Sequence, residues 1–260
     1  MVKSQRIIII SFGQFHSFDL AYQLQNKGIL EKIYCSYPFF KARKYLIKKN
    51  NYCSFFIFQI FLRIFRKKLD PILKVLFALI LKLLIRNKKK RIFIIWSDIP
   101  SFLLEFIKKN LDSKIILERG SAHFLKQASL LKNEYAKHGI DYEINQNSLN
   151  NELLNYQLAD FISIPSNFVK ESFLENGVDK KKLFLNIYGC NLSWFKKYDY
   201  KSEKFTILTV GNFSLRKGYY HLIAAFNGIK FEFEHIHVGT IQKNEEFLFK
   251  KYFESKNFTR

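Results

Sequence analysis

The sequence predicts an α/β chain made of two Rossmann-like units, the first complete and the second incomplete. Three observations predict it. Short β-branched apolar runs alternate with helical patterns along most of the 260 residues, as they do in parallel sheets covered by helices. A charged, tyrosine-rich stretch, WFKKYDYKSEK (194–204), interrupts the alternation, and a second alternation then starts. Hydrophobic residues make up 48% and aromatic residues 17%, enough for real cores and too much for a disordered chain.

The first unit opens with RIIIISF (6–12), a buried parallel strand by its length and branching. A loop, GQFHS, leads to a helix over FDLAYQLQNKG (18–28), closed by Gly28. KIYCSY (32–37) is a second strand that stops before Pro38. Two apolar helical stretches follow at 54–69 and 71–87. Gln59, Arg63, Arg66 and Lys67 share one face of the first. In the second, Asp70 is placed to cap, Pro71 suits the first turn, and Lys74, Lys82, Arg86 and Lys89 form a polar stripe. Strands at 91–98 and 114–120 then flank a helix at 101–110, and helices are expected at 124–139 and 148–159. A short strand ends at Pro165-Ser166, where Ser166 caps a helix over 167–177, and KLFLNIY (182–188) is the last strand of the unit. The expected division is residues 1–193, a linker at 194–204 and residues 205–260. The last part holds strands at 205–210 and 231–238 and helices at 218–227 and 245–256. Two βα units make an open sheet with little core.

Charge narrows the partners. Lysine and arginine number 43 against 22 acidic residues, a net +21. Between Lys41 and Arg91 there are 16 basic residues and one acidic residue, Asp70. No RNP-type aromatic strand, zinc spacing or recognition-helix pattern accompanies them, so nucleic acid is not the expected partner. Apolar helices with cations fit an anionic membrane surface. They fit equally well packing on the sheet with the lysines in water. The most apolar stretch, PILKVLFALILKLLI (71–85), carries two lysines and falls short of the ~20 residues of a membrane span. Cys35, Cys53 and Cys190 have neither disulfide nor metal spacing. The N-terminus lacks a signal-peptide pattern. The expected location is cytoplasmic, with peripheral attachment to the inner face of the membrane through residues 41–91 as an option.

The stretch TVGNFSLRKGYYHLIAAF (209–226) runs a strand into Gly211, a loop with Arg216, Lys217 and Gly218, and then a helix. A helix N-terminus with a nearby lysine suits phosphate. An ordinary βα turn with solvated cations has the same composition.

Several segments, in this order, resemble a family 4 glycosyltransferase of the GT-B fold. SFGQFHSFDLAYQLQNKG resembles the glycine-bearing first loop and helix. ERGSAHFLKQASLLKNEYAKHG is similar to a segment of one branch. ADFISIPSNFVKESFLENGVDKKKLFLNIYGCNLSWF, followed by FTILTVGNFSLRKGYYHLIAAF, resembles the family's middle. The resemblance implies transfer of a sugar from a nucleotide-sugar donor to a glycan or lipid-linked acceptor in envelope polysaccharide or glycoconjugate synthesis. It implies retention of configuration, an acceptor-binding first domain and a nucleotide-binding second one. The nucleotide-sugar is co-substrate, and neither a metal nor another cofactor is expected. Gly13 matches the first-loop glycine, and His16 either binds acceptor or caps the loop. The position where many members place a histidine near the reacting sugar is Arg119 here, with His123 close by; one of Glu118, Arg119 and His123 is expected to face the cleft as the catalytic group, and Ser121 joins them as a substrate contact. A surface loop is the alternative. Gly211, Arg216 and Lys217 match the diphosphate site, Lys217 most directly. The usual arginine after the strand glycine is Asn212 here, with Arg216 as its substitute. Glu246 and Glu254 imitate the family's paired glutamates in spacing but sit in a lysine-rich helix, where such pairs arise by chance. The expected ribose and base site is therefore missing, so weak or no transfer is expected of these residues alone. The rival reading is a non-catalytic acceptor- or membrane-binding module.

Overall fold

A computed structural model describes residues 6–65, 69–86, 90–197 and 204–259. The chain divides into two compact units, residues 1–128 with 144–192 and residues 129–143 with 193–260.

The first unit holds β1 (Arg6–Ser11), α1 (Ser17–Asn26), β2 (Leu30–Cys35), α2 (Phe39–Arg43), β3 (Tyr52–Ser54), α3 (Ile57–Ile64), α4 (Asp70–Leu84), β4 (Arg91–Trp96), α5 (Ser101–Asn110) and β5 (Lys114–Glu118). The chain passes into the second unit inside α6 (Phe124–Ala136). It returns for α7 (Gln146–Leu158), β6 (Phe161–Ile164), α8 (Asn167–Leu174) and β7 (Leu183–Leu185). The seven strands form one parallel sheet in the order β3-β2-β1-β4-β5-β6-β7. Strand order reverses between β1 and β4, whose partners run from Arg6–Arg91 to Ile10–Ile95. Both faces of the central strands are covered. Ile8, Ile10, Phe93 and Ile95 face one core with α4, α5 and α8, and Ile7, Ile9 and Ile94 face another with α1. This explains why β1 reads as an unbroken apolar run.

The sequence foresaw the long elements and missed the short ones. The expected helix at 54–69 is Ile57–Ile64, and α2 and β3 lie in a stretch for which the sequence pattern predicts no element. Asp70 does not cap α4. It is the first helical residue, and its carboxylate pairs with Lys74, 2.8 Å away. The expected polar stripe on α4 is also redirected. Lys74 also reaches Asp98 at 3.2 Å, and Lys82 lies over the rings of Phe102 and Phe106. Gln59 turns inward, with its Nε2 donating to Ser36 Oγ at 2.5 Å. Arg66, Lys67 and Lys89 lie outside the described residues. Ser166 caps α8 as expected, accepting from Val169 N.

The second unit contains β8 (Phe205–Val210), α9 (Tyr219–Phe226), β9 (Phe233–Val238), α10 (Glu246–Phe253) and β10 (Phe258–Thr259), in a parallel sheet ordered β10-β9-β8. Phe213 is fully buried at its centre, stacked on Tyr219 and edge-on to Phe249, Phe253 and Phe258. Residues 129–143 contribute Leu131 and Tyr135 to this core. Of the expected linker, 198–203 lie outside the described residues.

Gly211 and Gly239 follow β8 and β9, and Gly211 N donates to Val238 O. Gly239 has φ +154°, and a Cβ there would stand 1.7 Å from Gly211 O. Only glycine fits. Gly239→Ala is expected to destabilise the second unit by about 3 kcal/mol. Hydrogen exchange checks it: amides of β8 and β9 lose protection while those of β1 and β4 keep theirs.

Candidate active site

The carboxyl ends of β1 and β4, where strand order reverses, are where open α/β sheets leave a crevice for ligands. The loop after β1 is tightly held. Ser36 Oγ donates to Phe12 O, Ser11 Oγ donates to Gly13 O at 2.5 Å, and Gln14 Nε2 donates to Tyr45 OH at 2.8 Å. Phe15 takes a left-handed conformation, φ 41°, which is costly for a bulky residue. Its ring folds back over Gly13, where a Cβ would stand 2.5 Å from Phe15 Cε2. Gly13 therefore makes room for the turn that presents His16.

His16 Nε2 lies 3.1 Å from Glu118 Oε1 at the end of β5. Glu118 is buried, whereas the His16 side chain keeps 27% of its surface exposed. Tyr188 OH donates to the same carboxylate oxygen at 3.4 Å. Burial, then the Glu118 charge, pushes the Tyr188 phenol well up, so it stays protonated as a donor. The His16 ring lies against Tyr188 and Trp96, with centroids 4.0 and 5.0 Å away, and Phe15 stacks on Trp96. Gly120 admits Tyr188, because a Cβ there would stand 2.6 Å from its hydroxyl. The result is a partly exposed imidazole oriented by a buried carboxylate and flanked by aromatic faces. Such a group can hydrogen-bond or deprotonate a hydroxyl, and flat aromatic walls with few polar groups suit a sugar ring. Trp96, Gly120 and Tyr188 were missed in the sequence, since no local pattern links them to His16.

Arg119 and His123 point elsewhere. Arg119 Nη1 donates to Glu152 Oε1 at 3.0 Å and to Ser97 Oγ at 3.3 Å, and Nη2 donates to Ala122 O at 3.2 Å. Both charged groups are buried, and burial pushes the Glu152 carboxyl up against the pull of Arg119. Two asparagines of α7 extend this network. Asn155 Nδ2 donates to the carbonyls of Ser97 and Ile99, and Asn151 Oδ1 accepts from Ser101 N at the start of α5. The polar face of α7 thus holds the loop after β4. His123 is buried between Tyr156 and Phe173 and borders a cavity of about 390 Å³ near Asn176, Val178 and Lys182. Burial, helped by the Arg119 charge, pushes its pKa down to about 4. Ser121 is exposed beside them.

In the second unit Gly211 ends β8 with φ +133°, and Arg216 and Lys217 are exposed in a single 3-10 turn before α9. Lys217 borders an open pocket of about 260 Å³ with Thr209, Val210, Tyr219 and Leu222. The turn already holds one anion of its own: Leu215 N donates to Glu245 Oε2 at 2.6 Å, and Tyr135 OH donates to Glu245 Oε1. Glu246 and Glu254, at the two ends of α10, are not the carboxylates used here. Among the described residues no three His, Cys, Asp or Glu side chains lie together as a metal-ligand set.

No known family pattern and no curated protein matches the sequence. Solved structures do. Anabaena HepE, solved with UDP and glucose, matches with a TM-score of 0.60 at 11% identity, over 98% of this chain and 68% of its own. S. aureus MnaA, solved with UDP, matches at 0.55 and 14% over 98% of this chain and 67% of its own. A UDP-N-acetylglucosamine 2-epimerase matches at 0.53 and 14% over 99% and 68%. At these identities the likeness establishes the fold, which is GT-B-like. Epimerases and HepE share it alike, so it is broader than family 4.

Two outcomes test the buried network. Arg119→Ala strands Glu152 and is expected to cost about 3–5 kcal/mol in urea unfolding. His123 gives a pH signature. Its folded pKa, about 4, lies below the ordinary 6.5, so the unfolded state binds the extra proton. Stability is full above pH 6.5 and falls as pH drops toward about 4. Urea unfolding across that window is expected to show about 2 kcal/mol of loss, tempered by the adjoining cavity, that H123F removes.

Proposed function

We propose that this chain belongs to a sugar-transfer enzyme of the family 4 type, moving a sugar from a uridine diphosphate donor to a hydroxyl of a glycan or lipid-linked acceptor. Transfer proceeds with retention of configuration and without a metal. The observation that carries the reading is the His16–Glu118–Tyr188 cluster at the strand-order reversal. It is supported by fold neighbours solved with UDP, with UDP and glucose, and with UDP-glucose. In this reading His16, held by Glu118, orients the acceptor hydroxyl, and Phe15, Trp96 and Tyr188 line the sugar. Gly13 gives the loop its close approach and Ser121 adds a polar contact. Arg119 and His123 act as positioning residues beneath the site. In the second unit Lys217 meets the diphosphate charge, with Arg216 flanking it and Gly211 leaving the backbone open.

A second reading, a chain that binds acceptor without transfer, is favoured by one observation. The described second sheet has three strands, and Leu208 and Val210 of β8 stand exposed on it.

Calorimetry with UDP and UDP-glucose, followed by turnover with polyisoprenyl and oligosaccharide acceptors, tests both. Binding of UDP through its diphosphate is expected, weakened about tenfold by Lys217→Ala through loss of one charge-assisted contact. His16→Ala is expected to leave UDP affinity unchanged and to lower transfer by at least about 100-fold. No UDP binding would leave the non-catalytic reading. Conversion of UDP-N-acetylglucosamine to its 2-epimer without acceptor would replace transfer by epimerisation.

A further inference from the structure

We propose that α3 and α4 dock the first unit on an anionic bilayer by inserting apolar side chains among the lipids. The inference stands on exposed side chains and is independent of the nucleotide reading.

Helix α4 is apolar on two faces. Leu73, Phe77, Ala78 and Leu81 are buried against the sheet. On the opposite side Ile72, Leu76, Leu79, Ile80, Leu83 and Leu84 are 36–58% exposed. The outward set repeats at three- and four-residue intervals, one continuous helical stripe. Neighbouring α3 does the same: Phe58 is buried and packs edge-on to Phe77, 6.3 Å away, while Ile57, Ile60, Phe61 and Ile64 are 40–64% exposed. A helix that is apolar all round is normally buried, and an exposed apolar patch of this extent marks an interaction site.

The lysines of α4 do not interrupt the stripe. Lys74 is tied to Asp70 and Asp98, and Lys82 lies over the Phe102 and Phe106 rings. The outward stripe therefore offers no hydrogen-bonding side chain, and its partner needs none. Charge selects the partner further. Arg63 and Arg86 are exposed at the far ends of the two helices. The sequence adds Arg66-Lys67-Lys68 between the helices and Lys88-Lys89-Lys90 after them, with Asp70 the single acid from 41 to 91. Two copies meeting through this face would bring like charges together. An anionic lipid surface supplies both an apolar medium and the opposite charge. Fifteen helical residues make about 22 Å, too short for the ~30 Å hydrocarbon core. Among the described residues no helix is long and apolar enough to cross a membrane, so α4 lies along the interface.

Flotation of the 260-residue chain, without nucleotide, tests this with vesicles of phosphatidylcholine alone or mixed with phosphatidylglycerol. Binding is expected on the mixed vesicles and is expected to persist in part at high salt. Leu79→Trp, read against the parent protein, is expected to be quenched by lipids brominated on their acyl chains, whereas Phe168→Trp on exposed α8 is not. The combined change Ile72→Glu, Leu79→Glu and Leu83→Glu touches only exposed positions and is expected to weaken binding at least about tenfold. Vesicle binding that high salt abolishes, with no quenching at position 79, would overturn insertion. So would unchanged binding by the triple variant. A dimer in solution that L79E dissociates, with no vesicle binding, would assign the face to a second copy instead.

Discussion

The pairing of β1 with β4 sets two buried strands side by side whose chains then leave in opposite directions across the sheet. Most of the first unit depends on this divergence. Helices must cover both faces, because a parallel strand buried on both sides has no polar face to show water. The loops that leave the two strands must part, and the gap between them cannot be filled by a connection. His16 is carried on one loop, and Trp96 and Ser97 stand where the other begins. Glu118 lies one strand further on, close enough for its carboxylate to reach back to the imidazole. The site is thus a consequence of strand order, and its precision comes from how firmly each loop is tied.

That tying explains what was legible in the sequence. The central strands could be read because burial on both faces leaves unbroken apolar runs, and α5 and α8 because their spacing is amphipathic. The strand β3 has three residues and β10 two, too few for any periodicity to show. Helix α7 could be read as polar, but the reason was hidden: Asn151, Glu152 and Asn155 serve the β4 loop and Arg119, contacts some 33 to 58 residues apart in the chain. For the same reason Glu118, Arg119 and His123, adjacent in sequence, looked like one catalytic group. Alternation along and beyond the strand end sends Glu118 toward His16 and Arg119 into the ion pair with Glu152. Gly239 was illegible because its need for glycine arises from the backbone of Gly211, on another strand.

The loop of the second unit shows how one composition serves two uses. A turn with Arg216, Lys217 and Gly218 before a helix reads as a phosphate cradle, and its lysine does border a pocket. Yet the amide of Leu215 is already matched by Glu245, a carboxylate buried 30 residues later and held by Tyr135. An internal anion of this kind fixes the turn before any ligand arrives. In the proposed function it leaves the exposed lysine, rather than that amide, to meet the diphosphate. Preorganisation of the turn and recognition by the side chain are then separate tasks.

The α3–α4 pair departs from the logic that governs the sheet. In the central strands the apolar residues are explained by the two cores they face. On α4 the inner row is sufficient for that purpose, since Leu73, Phe77, Ala78 and Leu81 already close the core over β1 and β4. The outer row leaves 36–58% of each side chain exposed. Lys74 and Lys82, part of a polar stripe in the sequence, are drawn sideways, onto Asp98 and the rings of α5. A surface made only to meet water would have the opposite arrangement, lysines outward and leucines inward. In the bilayer docking proposed above, the outward leucines would meet an apolar medium, and the cations that flank the two helices in the sequence would meet anionic headgroups.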